Sequence, residues 1–180
     1  ALNLFGLSAD GTQLLRFNNP NSTSLTSTST ITGVVAGETL VGIDIRPLNG
    51  QLYGLGVNAT ANTGTLYLID PRNGSAAIAT GAAGQIAFVD ASGNPLDLPA
   101  TGYGIDFNPA VDRLRVVTSS GLNFRLNPIT GGVVDGDAVA VGNNPDAGIN
   151  GATGLSATAY TNSVNGTTIT TQYGLDAVTN

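Results

Sequence analysis

Apolar residues in this chain alternate with polar ones or cluster in short runs, and Gly, Asn, Pro or Asp bounds the runs. No stretch holds the three-to-four-residue periodicity of a sustained helix, so the pattern predicts short strands joined by turns. Asp10-Gly11, Asn49-Gly50, Asn73-Gly74, Ser120-Gly121 and Asn165-Gly166 mark those turns. Each sets a residue tolerant of positive φ beside a glycine, as hairpins require. Val, Ile and Thr are plentiful where helix formers are scarce, which favours strands again. The chain is predicted to be all-β.

The strands also recur. Gly42-Ile43-Asp44-Ile45-Arg46-Pro47 returns as Gly104-Ile105-Asp106-Phe107-Asn108-Pro109. Leu52-Tyr53-Gly54-Leu55 has counterparts in Leu4-Phe5-Gly6-Leu7, Leu114-Arg115-Val116-Val117 and Gln172-Tyr173-Gly174-Leu175. Leu66-Tyr67-Leu68-Ile69-Asp70-Pro71 returns as Asn123-Phe124-Arg125-Leu126-Asn127-Pro128, and a looser fourth segment follows, Ala76 to Thr80 or Val133-Val134. Aligned, these phrases make a unit of four antiparallel strands, the content of a propeller blade.

As one domain over 1–180, the chain divides into units of approximately 1–47, 48–109, 110–162 and a partial 163–180. That makes about three blades and one further strand, whereas a closed ring usually needs four or more. Two architectures are open: a fragment of a larger propeller that continues beyond Asn180, or a non-closed β-stack. Either leaves bare sheet faces or edges near 1–17 and 165–180, because a single repeat cannot cover its own apolar faces. The long segments 82–101 and 135–154 are read as insertions.

Composition narrows the chemistry. Six Arg and no Lys stand against eleven Asp and one Glu, for a net charge of −6. That balance gives no basic stripe for nucleic acid and the wrong sign for an anionic membrane surface. His, Cys, Met and Trp are absent as well. Imidazole, thiolate and lysine chemistry are therefore excluded from these residues. Charged residues are 10% of the chain, and Gly, Thr, Asn and Ser fill the polar positions instead. This surface, with no apolar run long enough to span a bilayer and a start inside a strand without Met, predicts a secreted protein, extracellular or periplasmic.

The string from Gly37 to Pro47, then Gln51 to Leu55, then Gly104 to Val117, closely resembles the bacterial family of domain of unknown function 4394. Asn123 to Pro128, Ala159 to Asn162 and Thr170 to Asp176 continue the likeness over nearly the whole chain. The resemblance implies an exported, propeller-like protein whose domain runs past Asn180. It implies no activity and no catalytic residues.

Several residue groups could carry chemistry. Asp44 and Asp106 occupy equivalent places in the first strand of their units, and carboxylates lining a channel could hold Ca²⁺. The favoured alternative has each accept hydrogen bonds within its own blade. Asp135 and Asp137 offer oxygen ligands in a Gly-rich loop with Asn143 to Asp146 beyond, without EF-hand spacing; an ordinary turn is the favoured reading. Arg113, Arg115 and Arg125 could grip a carboxylate, sulfate or phosphate, or, as favoured, pair with aspartates and fix one sheet on the next. Glu38 could act as an acid only with a second carboxylate, and is otherwise expected to pair with an arginine such as Arg46.

Tyr53, Tyr67, Tyr103, Tyr160 and Tyr173 are assigned to packing rather than to stacking on sugars. Asn21, Asn58, Asn73 and Asn165 begin Asn-X-Ser/Thr triplets, which mark solvent-facing turns. The reading that results is an exported structural or interaction module without chemistry of its own. It would assemble with itself or with a larger extracellular or membrane-associated complex, and need no cofactor. The alternatives are a propeller binding a carbohydrate or small anion and, less favoured, a metal-dependent propeller hydrolase.

Overall fold

The computed structural model of the chain describes residues 4–17, 25–149 and 151–176. Among the described residues there are thirteen strands and no helix. β1 (Leu4–Leu7), β2 (Gln13–Phe17) and β3 (Ser27–Thr30) form the first sheet. β4 (Thr39–Ile45), β5 (Leu52–Asn58), β6 (Thr63–Ile69) and β7 (Ala76–Ile78) form the second. β8 (Tyr103–Asn108), β9 (Arg113–Thr118), β10 (Asn123–Leu126) and β11 (Val133–Val134) form the third, and β12 (Ala157–Tyr160) pairs with β13 (Gln172–Leu175) in the fourth.

All pairings within these sheets are antiparallel between sequence neighbours, so the two complete sheets are four-stranded meanders, as the repeat predicts. None of the four sheets closes on itself. The hydrogen-bonded units begin with the Gly-Ile-Asp strand; the breaks at 47/48, 109/110 and 162/163 therefore fall in turns inside sheets. The five glycines of the predicted turns all have positive φ, from 69° at Gly50 to 96° at Gly121.

The sheets stack in chain order. β1 lies against β4, β4 against β8, and β8 against β12. Register makes the leading strands comparable: Asp44 stands opposite Tyr53, Asp106 opposite Arg115, and Ala159 opposite Tyr173. The first residue of the Gly-Ile-Asp phrase is a glycine because the stacked strands nearly touch there. A Cβ on Gly104 would lie 2.5 Å from the Ala157 Cα, and one on Gly42 would lie 3.0 Å from the Ile105 side chain.

Two cores fill the stack. Leu14 of the first sheet meets Leu40, Leu52, Tyr67, Ile69 and Ala76 of the second. Tyr53, Leu55 and Leu66 of the second meet Phe107, Leu114, Val116 and Phe124 of the third. β5 lies between these cores, which is why six consecutive residues, Leu52 to Val57, are buried without alternation. A strand covered on both faces reads as an unbroken apolar run. Segment 82–101 is more than an insertion, since Ile86, Phe88 and Leu98 are buried in the second core.

Candidate functional site

Of the groups marked in the sequence, Asp44, Asp106 and Arg115 reach across the seams between sheets. Asp44 Oδ2 accepts the Phe107 N–H at 2.7 Å, and its Oδ1 accepts the Ile45 N–H at 2.8 Å. Asp106 Oδ2 accepts the Tyr160 N–H at 2.6 Å. Phe107 belongs to the sheet after Asp44, and Tyr160 to the sheet after Asp106. The expectation that each Asp bonds within its own blade is corrected in this respect: the main partner of each lies in the next sheet. Among the described residues the leading strands are the edges of their sheets, and their carboxylates reach the neighbouring sheet of the stack.

The two carboxyls also act on each other. Burial raises the Asp44 pKa above the ordinary carboxylate range. Burial, and then the charge of Asp44, push Asp106 up to about 7. With its proton retained, Asp106 is hydrogen-bonded to Asp44, and the pair carries one charge where two would repel.

Asp135 and Asp137 are engaged in their own loop. Asp135 Oδ1 accepts the N–H groups of Asp137 at 3.2 Å and Asn144 at 3.0 Å, and Asp137 Oδ1 accepts that of Val139 at 3.0 Å. Among the described residues, no group of three or more His, Cys, Asp or Glu side chains is placed to hold a metal ion.

The arginines separate. Arg115 and Arg125 stand directly opposite each other on β9 and β10, and both bind Asp146. Arg125 donates through Nε and Nη2 at 2.7 and 2.6 Å, and Arg115 through Nη1 at 2.6 Å. Arg115 also reaches Asn123 Oδ1 at 2.8 Å and the Tyr160 hydroxyl, in the next sheet, at 3.3 Å. Arg113 instead turns back to the carbonyls of Asp112 and Val111. An internal carboxylate thus holds the fork that an anion would need. Asp146 belongs to segment 135–154, so the pairing fastens that segment to the third sheet.

Sequence reasoning placed Asp146 only among the oxygen groups of the Gly-rich loop and missed its arginine partners, because it sits in a loop without repeat counterpart. It also left Asp112 without a specific partner. Arg46, at the end of the second sheet's leading strand, grips Asp112 of the third sheet through Nε at 2.7 Å and through Nη2, and donates to the Tyr53 hydroxyl at 3.2 Å. Asp112 keeps the guanidinium protonated beyond its ordinary range. Glu38, expected to pair with an arginine such as Arg46, instead accepts the hydroxyls of Thr65 and Tyr67, both at 2.6 Å. Burial and the Glu38 carboxylate push the Tyr67 phenol up to about 12.

Tyr53 and Tyr67 are buried as predicted, but Tyr173 is 63% exposed and Leu175, beside it on the same face of β13, is 52% exposed. Of the triplet asparagines, Asn58 caps the turn at Thr60 and Ala61, and Asn73 the turn at Ser75. Asn21 lies outside the described residues.

Sheets stacked in repeat order, with carboxylates and guanidinium groups spent on the seams, define an all-β repeat protein. A family model for Domain of unknown function (DUF4394) matches residues 13–180, and the chain belongs to that family. No curated protein and no solved structure matches it.

Proposed function

We propose that the chain is an exported, non-catalytic interaction module of propeller-like organisation that assembles through its terminal sheets with itself or with a larger extracellular or membrane-associated complex. The observation that carries this reading is the exposed face of the fourth sheet. Tyr173 and Leu175 are open, while their counterparts by register, Tyr53 at 3% and Leu55 at 1% exposure, lie under the sheet that follows. Ala157 and Ala159 share that face. Covering one large apolar side chain is worth about 1.5–3 kcal/mol, so a face of this kind favours a partner. The Lys-free, Asn- and Thr-rich surface supports export.

The reading is tested by sedimentation at micromolar concentration. The wild-type chain is expected above its 18.0 kDa monomer mass, alone or with envelope extract, and the Tyr173→Ser/Leu175→Ser variant is expected at monomer mass in both. A wild type that stays monomeric in both samples, or a variant that assembles equally well, refutes it.

A further inference from the structure

Segments 82–101 and 135–154 meet each other. The Val89 N–H donates to the Asn143 carbonyl at 2.9 Å, and beside this contact lies a cavity of about 280 Å³. Val89, Ala91, Leu96 and Pro145 make its walls apolar. Asp90 and Asp137 bring carboxylates to it, and Asn144 brings an amide. The amide is 5% exposed, and its Nδ2 faces three carbonyl oxygens, those of Val89 at 3.0 Å, Asp90 at 3.2 Å and Val141 at 3.4 Å. Those acceptors fix which end of the amide is nitrogen. The other end, Oδ1, is buried without a hydrogen-bond partner. A buried acceptor left unpaired is unfavourable and calls for a donor.

The carboxylates determine what kind of donor fits. Asp137 Oδ1 accepts the Val139 N–H, which leaves its Oδ2 for a ligand. Hydrogen bonds from Asn94 hold the Asp90 carboxyl below its ordinary range, so it is charged at neutral pH. Beside two carboxylates a cationic donor is favoured. Ca²⁺ takes about six to eight oxygen ligands, which apolar walls do not supply. A guanidinium prefers both oxygens of one carboxylate, and neither Asp90 nor Asp137 has both unbonded. An ammonium on an alkyl stem suits the whole set, since its three donors reach separate oxygens while the stem lies on apolar surface.

We propose that this cavity receives a lysine side chain of a partner protein, with the ammonium between Asp137 and Asp90 and with Asn144 Oδ1 at its floor. The sequence holds no lysine and has a net charge of −6. A second copy of these residues therefore cannot supply the group, and a basic partner has the complementary charge. Val139 and Val141, 96% and 70% exposed, stand on the same segment and offer apolar surface to the residues that flank the lysine.

The proposal rests on the interaction-module reading and deepens it, by making the occupant of this surface a different protein. It uses neither Tyr173 nor Leu175, so the two can fail separately. The peptide acetyl-Leu-Lys-Leu-amide is titrated into the isotope-labelled chain and followed by amide NMR shifts. Saturable shifts are expected at Asp90, Asp137 and Asn144. Affinity is expected to be at least about tenfold weaker when norleucine, which keeps the stem and lacks the ammonium, replaces the lysine, as the loss of one charged hydrogen bond implies. Because that substitution is made in the peptide, the folding of the protein is not at stake. Asp137→Asn, whose amide oxygen can still accept from Val139, is expected to weaken the lysine peptide as well. The proposal is overturned by an absence of shifts at millimolar peptide, by shifts confined to other residues, or by equal affinity of the norleucine peptide. Binding of n-butylamine as tight as that of the peptide overturns it in favour of a free amine. Saturation of the same amides by Ca²⁺ at lower concentration overturns it in favour of a metal site.

Discussion

A side chain that bonds to the backbone of the next sheet joins two elements at once, and Asp44 and Asp106 both do so. Their shared environment has a pH signature. In the unfolded chain Asp106 loses its proton near its ordinary value of 3.8, and in the folded chain near 7. Between those values the folded state binds more protons, so the stability this contributes is complete below about pH 4 and is lost as pH rises through about 7. Asp44 shifts in the same direction. Asp10, Asp70 and Asp90 shift downward, so their contribution is present above their unfolded values and fades only in stronger acid. The thermal midpoint is therefore expected to fall from pH 4 to pH 7, and Asp106→Asn, which can still donate to Asp44 and accept from Tyr160, to flatten that slope. A flat wild-type profile in calorimetry across this window contradicts the account. The importance of both aspartates was legible in their repetition, but their partners were not, since a hydrogen bond across sheets depends on how the sheets stack.

Among elements, the leading strands set the closeness of the stack through their first glycine. Adding a methyl group where 2.5 Å is available forces backbone to move, at a cost of about 1–3 kcal/mol or more for overpacking. Gly104→Ala is expected to lose that much in urea titration. Gly148→Ala, which meets nothing within 4 Å and has no positive φ, is expected to stay within about 0.5 kcal/mol of wild type. Equal losses would place the effect in local chain entropy instead. Most strands were readable from apolar runs and turn residues. β3 was not, because its four residues are Ser27, Thr28, Ser29 and Thr30. It is a strand because β2 offers it a register from Gln13↔Thr30 to Arg16↔Ser27.

For the molecule as a whole, the loop segments between sheets are structural parts. Phe88 is 2% exposed and its ring lies 4.5 Å from that of Phe124. Phe88→Ala is expected to cost about 3–5 kcal/mol, a large share of the roughly 5–15 kcal/mol that holds a domain folded. A denaturant midpoint close to wild type would mean that the segment merely lies over the core. Segment 135–154 is fastened in another way, by Asp146 between Arg115 and Arg125. Among the described residues the first sheet has three strands and the fourth two, where the second and third have four.

By itself, the sequence determined the class of structure, the repeating unit and its turns, because alternation, β-branching and the glycines of tight turns are local properties. It also marked Asp44, Asp106, Arg115 and Arg125 as residues that matter. Only the tertiary structure decided what each one holds. Asp146 meets Arg125 from 21 positions away, through the docking of segment 135–154 on the third sheet, and Asp112 meets Arg46 from 66, through sheet stacking; no local pattern encodes either.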